Sequence, residues 1–502
     1  MPTSVDFEQV QGLVRFGYAS LTEACFLLVT IHDAAAARAW LRTAPLSNAV
    51  FCTSAPKTAL QVAFTREGLE KLGLPQEVFE GFSAEFLAGI SGSEGKSRLL
   101  GDIGANHPER WLWGGPGKAP HVLLMLYAQP GCLDAWSETV KGANWNSAFE
   151  LLTCLPTSNL GGFEPFGFKD GVSQPTLDWE LKRSPSGNQL TYSNVLCLGE
   201  VLLGYRNEYG RYTDRPLVTS QDGLDFGLPL AEDKPGMADL GCNGCYLVLR
   251  TLEQDVQGFW KFLDSQTKSR PEQREALASA MVGRGRDGNP LEALSNEPIA
   301  GVPPATAAQN QFTFDYDASG ATCPLGAHIR RANPRNADLP TPPVYGLRRW
   351  LRMVGLCVKD VRSDAKASTR FHRILRRGRE YGSRLPVEDA LASKAATGPH
   401  GIHFMCLVAN ITRQFEFLQS SWVMSTKFDA MTDESDPLLG NREPIPDAAP
   451  ADTFSLPKES GIRNRISGLP QFVTVKGGGY FFLPSLPAIR YFASIGERLP
   501  SA

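Results

Sequence analysis

The chain has 502 residues, 42% apolar and 21% charged, with a formal net charge of −3 and a pI of about 6.2. This is globular composition, with no charge excess that would suit nucleic acid or an acidic membrane surface. At about 150 residues per domain the length predicts about three domains, or fewer if the folds are large.

The first twelve residues have neither a basic start nor an apolar segment, so no secretory signal is expected. The apolar runs Phe26–Thr30 and Val122–Ala128 fall far short of the ~20 residues of a membrane helix. Ten scattered cysteines read as thiols, which suits a cytoplasmic protein.

Along the chain, Phe26–Ile31 reads as a buried strand, after which Asp33 caps an Ala-rich helix through Trp40 and Leu41. Leu60–Thr65 is a second strand, leading into a short helix, Arg66–Leu72, that Gly73 and Pro75 stop. Val122–Ala128 is a third strand. Thr176–Asp239, rich in Gly, Pro and polar residues, holds an expected boundary near residue 235. Tyr246–Arg250 is the next strand, with an amphipathic helix expected from Leu252 to Leu263. Pro271 opens another helix, and Gly283–Thr322 reads as an inserted loop. Tyr345–Val361 is an inserted helical stretch. Gly401–Gln419 joins a strand to a helix, and Thr432–Ser460 is polar again.

Trp40 follows Phe26 at the same interval as Trp260 follows Tyr246, late in the helix each time. The spacing suggests one strand–helix unit used twice. It predicts an α+β fold, with sheets covered by helices on one face. The two domains would be 1–235 and 236–502.

The common catalytic motifs are absent: there is no HExxH, GxSxG or Walker loop. Cys242-Asn-Gly-Cys245 has no second ligand pair for zinc and reads as a Gly-rich turn. Two segments are left. In Glu164–Pro175, Gly167 and Gly171 flank Asp170, so the backbone either presents this carboxylate or simply makes an Asp-Gly turn. In Cys323–Arg335, His328 follows small residues and precedes three arginines. That suits a flat cofactor with carboxylates, or a structural histidine beside a basic patch.

Taken together, these segments resemble the dye-decolorising peroxidase family. GFKDG resembles its GxxDG motif and CPLGAHIRRANPR its haem-ligand segment. Phe82–Ile90, Leu100–Asp102 and Trp111–Trp113 resemble its N-terminal half, and Gly199–Tyr205 and Asn243–Arg250 its middle. Arg373–Gly382 resembles its RRGxxYG segment, and Gly401–Gln419 the strand and helix beside the haem.

The resemblance implies two ferredoxin-like halves of the dimeric α/β-barrel type, with heme b (iron protoporphyrin IX) in the second. It makes His328 the iron ligand, Asp170 the acid–base residue and Arg376, ahead of Arg377, the distal arginine. Ile402 and Phe404 would narrow access to the iron, with His403 facing away, and Arg330 would hold a propionate. Hydrogen peroxide would be reduced, and dyes, phenols or similar reductants oxidised, through a ferryl intermediate. The family often has an acid near position 410 that bonds the proximal imidazole; this chain has Asn410, so either the imidazolate character is weaker and the iron easier to reduce, or another group supplies the acid. Trp422 is a candidate exit for electrons, or simply core. The alternatives are a haem-binding or iron-releasing protein on the same fold and a non-haem protein of duplicated ferredoxin-like domains. The oligomeric state is not legible.

Overall fold

The computed structural model describes residues 5–52, 55–183, 194–291, 309–310, 312–314, 317, 319–335, 369–393, 398–444, 450–458 and 461–496. The helical stretch expected at Tyr345–Val361 lies outside them.

The first half is built from β1 (Glu23–Ile31), α1 (Ala34–Thr43), β2 (Thr58–Phe64), β3 (Val122–Ala128), α2 (Leu133–Lys141) and β4 (Phe149–Pro156). Asp33 starts α1 by accepting the Ala36 N–H at 2.7 Å. The second half repeats the scheme with β5 (Cys245–Gln254), α3 (Val256–Gln266), α4 (Pro271–Val282), α5 (His328–Ala332), β6 (Leu375–Arg376), β7 (Arg379–Tyr381), β8 (Gly401–Val408) and β9 (Val473–Leu483). The strands form one antiparallel sheet in the order β6-β8-β5-β9-β2-β3-β1-β4, with β7 also on β8. Cut between β9 and β2, this is the ferredoxin-like order twice. Within the ladder the halves join where β9 pairs with β2, Phe482 with Phe64.

Side chains alternate across the sheet. One face packs against its counterpart in the other half: Phe26, Leu28, Leu123 and Met125 share a core with Leu247, Leu249, Met405 and Leu407. The opposite face carries the helices: Leu27, Val29, Leu124 and Leu126 pack under Trp40 and Leu41 of α1. Among the described residues the ladder stays open rather than closing as a barrel. Across the gap, Ser158 N–H donates to Glu380 O at 2.8 Å.

Three local expectations change. The helix expected from Leu252 starts at Val256, because the β5 ladder runs on: Leu252 pairs with both Ile402 and Val475. Asp255 then caps α3, accepting the Gly258 N–H at 2.8 Å. The helix after β8 is a π-helix over Thr412–Glu416 and Leu418–Val423. The aromatic repeat is out of register, since Phe26 faces the core between the halves and Tyr246 faces the helices. The true correspondence is between the capping residues Asp33 and Asp255. Among the described residues no helix is long and apolar enough to cross a membrane.

Candidate active site

On the helix-bearing face of the second half the helices stand off from the sheet. They leave a cavity of about 270 Å³ floored by Arg250, Leu252 and Gln254 of β5, Ile402 and Phe404 of β8, and Val473 and Val475 of β9. Strand alternation explains the set: Ile402 pairs with Leu252, Phe404 with Arg250, and His403 must point to the other face. His403 does so, stacking on Tyr381 with ring centroids 4.4 Å apart and reaching Pro156 O at 3.1 Å.

His328 enters the cavity from the first turn of α5. Its Nδ1 lies 2.9 Å from Oδ2 of Asp436, which is fully buried and also accepts the N–H groups of Leu438 and Leu439. A carboxylate only accepts, so Nδ1 carries the proton and the neutral ring keeps its lone pair on Nε2. Burial opposes both charges, but their mutual attraction prevails. Asp436 is held below the ordinary carboxylate range and His328 above the ordinary imidazole value. Asn410 is therefore not the imidazole's partner. Its side chain accepts the Arg413 N–H at 2.8 Å and caps the π-helix. Asp436, within the polar stretch, supplies the acid, and the expectation of an easier iron reduction loses its basis.

Asp170 lines the same cavity from the Phe163–Gly171 loop and Arg376 from β6. Arg376 Nη1 donates to Asp170 Oδ1 at 2.9 Å, and its Nη2 donates to Ser173 O at 3.2 Å. Burial pushes the Asp170 carboxyl up. The Arg376 charge and the Gly171 N–H outweigh it, so Asp170 sits below its ordinary value. Arg377 faces the other way and donates to Leu13 O and Val14 O.

Arg330 does not reach the cavity: its guanidinium is 1% exposed, paired with Asp317 Oδ2 at 3.1 Å and bonded to Cys323 O. The arginines on the wall are Arg250, Arg284, Arg335, Arg373 and Arg376. Arg284 Nη2 is buried without a hydrogen-bond partner among the described residues, and burial and its neighbours Arg335 and Arg376 lower its pKa to about 10. Trp422 is 3% exposed, on the cavity wall and packed with Phe428 and Met431, so it is core and not a surface exit. Sequence reading missed Asp436, Arg284 and Arg335, although Arg335 closes the CPLGAHIRRANPR segment.

Fold and cavity define a class: two fused ferredoxin-like halves holding an imidazole–carboxylate pair and an Arg–Asp pair in one pocket. In sequence and fold the chain is similar to dye-decolorising peroxidases over nearly its whole length. It is 27% identical to dye-decolorizing peroxidase msp1 of Mycetinis scorodonius, over 98% of this chain and 88% of that one. With dye-decolorizing peroxidase AauDyP1 of Auricularia auricula-judae the identity is 26%, over 97% and 87%. A solved dye-decolorizing peroxidase in complex with 2,6-dimethoxyphenol shares the fold, with a TM-score of 0.69 at 21% identity over 97% of this chain and 100% of that one. No family model matches.

Proposed function

We propose that this chain is a haem peroxidase that reduces hydrogen peroxide and oxidises dyes, phenols or similar reductants. The observation that carries the reading is the meeting in one cavity of Asp170–Arg376 and His328–Asp436. The residues suit a haem. Leu252, Ile402, Phe404, Val473 and Val475 give an apolar wall for a flat macrocycle, and His328 Nε2 is a neutral nitrogen ligand. Arg284 Nη2, without a hydrogen-bond partner among the described residues and beside Arg335, is a cationic site that propionates would neutralise. Bound there, haem would supply the iron that takes peroxide and the store of two oxidising equivalents.

The protein's own part is acid–base and electrostatic. Asp170 is ionised in mild acid, so it takes the proton from the near oxygen of peroxide and returns it to the far one, which leaves as water. Arg376 supplies positive charge where the leaving oxygen becomes anionic. Each peroxide accepts two electrons, drawn one at a time from two phenols. Ile402 and Phe404 narrow the floor of the pocket, and Asp436 fixes the ring of His328. A haem carrier needs neither Asp170 nor Arg376, which favours catalysis over carriage.

The test is a visible spectrum of the purified protein, then peroxide-dependent oxidation of 2,6-dimethoxyphenol. A Soret band with turnover is expected. A Soret band without turnover assigns carriage, and no Soret band after haem loading ends the reading.

A further inference from the structure

Asp170 belongs to a loop that follows the first half, yet it serves a cavity on the second. The loop closes on itself through the bridge between Phe163 and Lys169, with Glu164 N–H donating to Phe168 O at 2.9 Å. Gly167 turns it at φ +100°, a conformation that costs other residues strain. Asp170 N–H donates back to Gly162 O at 2.9 Å. Inside this turn lies the Glu164 side chain. Its Oε1 accepts the Phe168 N–H at 2.8 Å. Its Oε2 accepts the Phe166 N–H at 3.0 Å and the Gln254 Nε2–H at 2.7 Å. Gln254 stands on β5, in the cavity floor. One carboxylate thus satisfies two loop amides and ties the loop to the sheet of the other half.

We propose that Glu164 is the positioning residue for Asp170, clamping the Phe163–Gly171 loop to β5 so that the Asp170 carboxylate is held over the cavity. This rests on the acid–base reading of Asp170 above. Three acceptor contacts on two oxygens suit an ionised carboxylate. A protonated one turns an oxygen into a donor facing N–H groups. Burial raises Glu164 to about 7, and the nearby Asp170 charge adds to the rise. The groups bonded to it carry no charge, the Phe166 and Phe168 amides and the neutral Gln254, and Arg286 lies over the Phe168 ring at 5.9 Å. Arg384 lies on the Phe163 ring, at 5.2 Å. The clamp therefore tightens as pH rises through neutrality.

Two measurements test the clamp. The first is amide hydrogen exchange of Phe166 and Phe168 from pH 6 to 8, as protection factors corrected for intrinsic exchange. Protection should rise across this range in the parent and stay flat and low in Glu164→Gln, which keeps the shape and loses the charge. The second is kcat/KM for peroxide in a double-mutant cycle. Glu164→Ala should lose on the order of 10- to 100-fold, the cost of a misplaced catalytic group. In the Asp170→Asn background the same change should cost almost nothing. Additive losses, or equal protection in parent and Glu164→Gln, overturn the inference and leave the acid–base reading standing. An Asp170→Asn variant as fast as the parent overturns both.

Discussion

The two ferredoxin-like halves share one strand order and use the same face of their sheets differently. In the first, Leu27, Val29, Leu124 and Leu126 are sealed beneath Trp40 and Leu41, with Trp40 edge-on to Phe149 at 5.3 Å. In the second, the matching face presents Arg250, Leu252, Gln254, Ile402 and Phe404 to a cavity. The difference is in what lies above. In the first half α1 follows β1 directly and lands on the sheet. In the second, α3 and α4 pack aside with Phe166, Phe168 and Phe472, and the space over the sheet goes to α5, the Asp170 loop and the π-helix. A repeated fold gives a site when one copy loses its covering helix and polar side chains enter the exposed face.

The strongest way to break this comparison is through the histidines. His328→Ala should lose most of the bound haem, read as Soret absorbance per mole of protein after loading. In the filled half His121 only accepts the Ile31 N–H, at 2.9 Å, and His121→Gln should keep the band. The reverse result would move the cofactor out of the second half.

Next comes the charge in the cavity. Arg376→Leu should lower kcat/KM for peroxide by about 10²- to 10³-fold, as expected for removing one donor from a site of developing charge. Asp170→Asn should cost about 10²-fold or more. Because Asp170 sits below its ordinary value, the parent should keep its rate into mild acid, and the fall should come only as pH drops through the Asp170 range. Arg376→Leu should move that fall to higher pH, since the largest opposing influence on burial is gone. Stopped-flow mixing with peroxide from pH 3 to 7 measures both, and an unmoved acid limb in Arg376→Leu would separate the two residues.

Stability sharpens the contrast. Leu124 and Phe404 stand on the same face of corresponding strands, β3 and β8, one fully buried and one half-buried beside the cavity. Leu124→Ala should cost about 2–5 kcal/mol, because it opens a void in packed core. Phe404→Ala, widening a space that already exists, should cost clearly less in the haem-free protein. Urea unfolding of the two variants compares them directly, and equal losses would mean the second half is as tightly packed as the first.

What the sequence made legible follows the same division. Periodicity located β1, β2, β3, the start of β5 and β8, because each is a local run of apolar residues. His328, Asp170, Arg376, Ile402 and Phe404 were legible through motif resemblance, and the structure brings all five to one cavity. Asp436 was not, since its partner lies 108 residues away and the surrounding Asp-Glu-Ser-Asp string reads as polar loop. The resemblance points to Arg330, and nothing local in the segment says that Arg335 is the arginine that turns to the cavity. The end of β5 fits a helical stripe at Leu252, and only its pairing with two strands makes it a strand. Glu164 stood in the quoted segment, but its partner Gln254 is on another strand and only the folded chain joins them.

The last comparison concerns His403, on the face of β8 turned away from the cavity. It lies where the halves meet: stacked on Tyr381 of its own half, edge-on to Phe26 of the other, and bonded to Pro156 O at the end of β4. Burial holds this imidazole neutral and lowers its pKa to about 4. An unfolded histidine titrates near about 6.5. Between these values the unfolded chain binds a proton that the folded chain refuses, so His403 contributes fully above about pH 6.5 and its contribution is lost as pH falls toward 4. The gap corresponds to something on the order of 3 kcal/mol. His403→Phe keeps a ring against Tyr381 and removes the titration, at the cost of the hydrogen bond to Pro156. It should therefore be less stable than the parent at pH 7, and its further loss on going to pH 4.5 should be smaller than the parent's. Urea midpoints at the two pH values give both numbers. A parent and variant that lose stability in parallel would show that the seam between the halves is not what fails in acid.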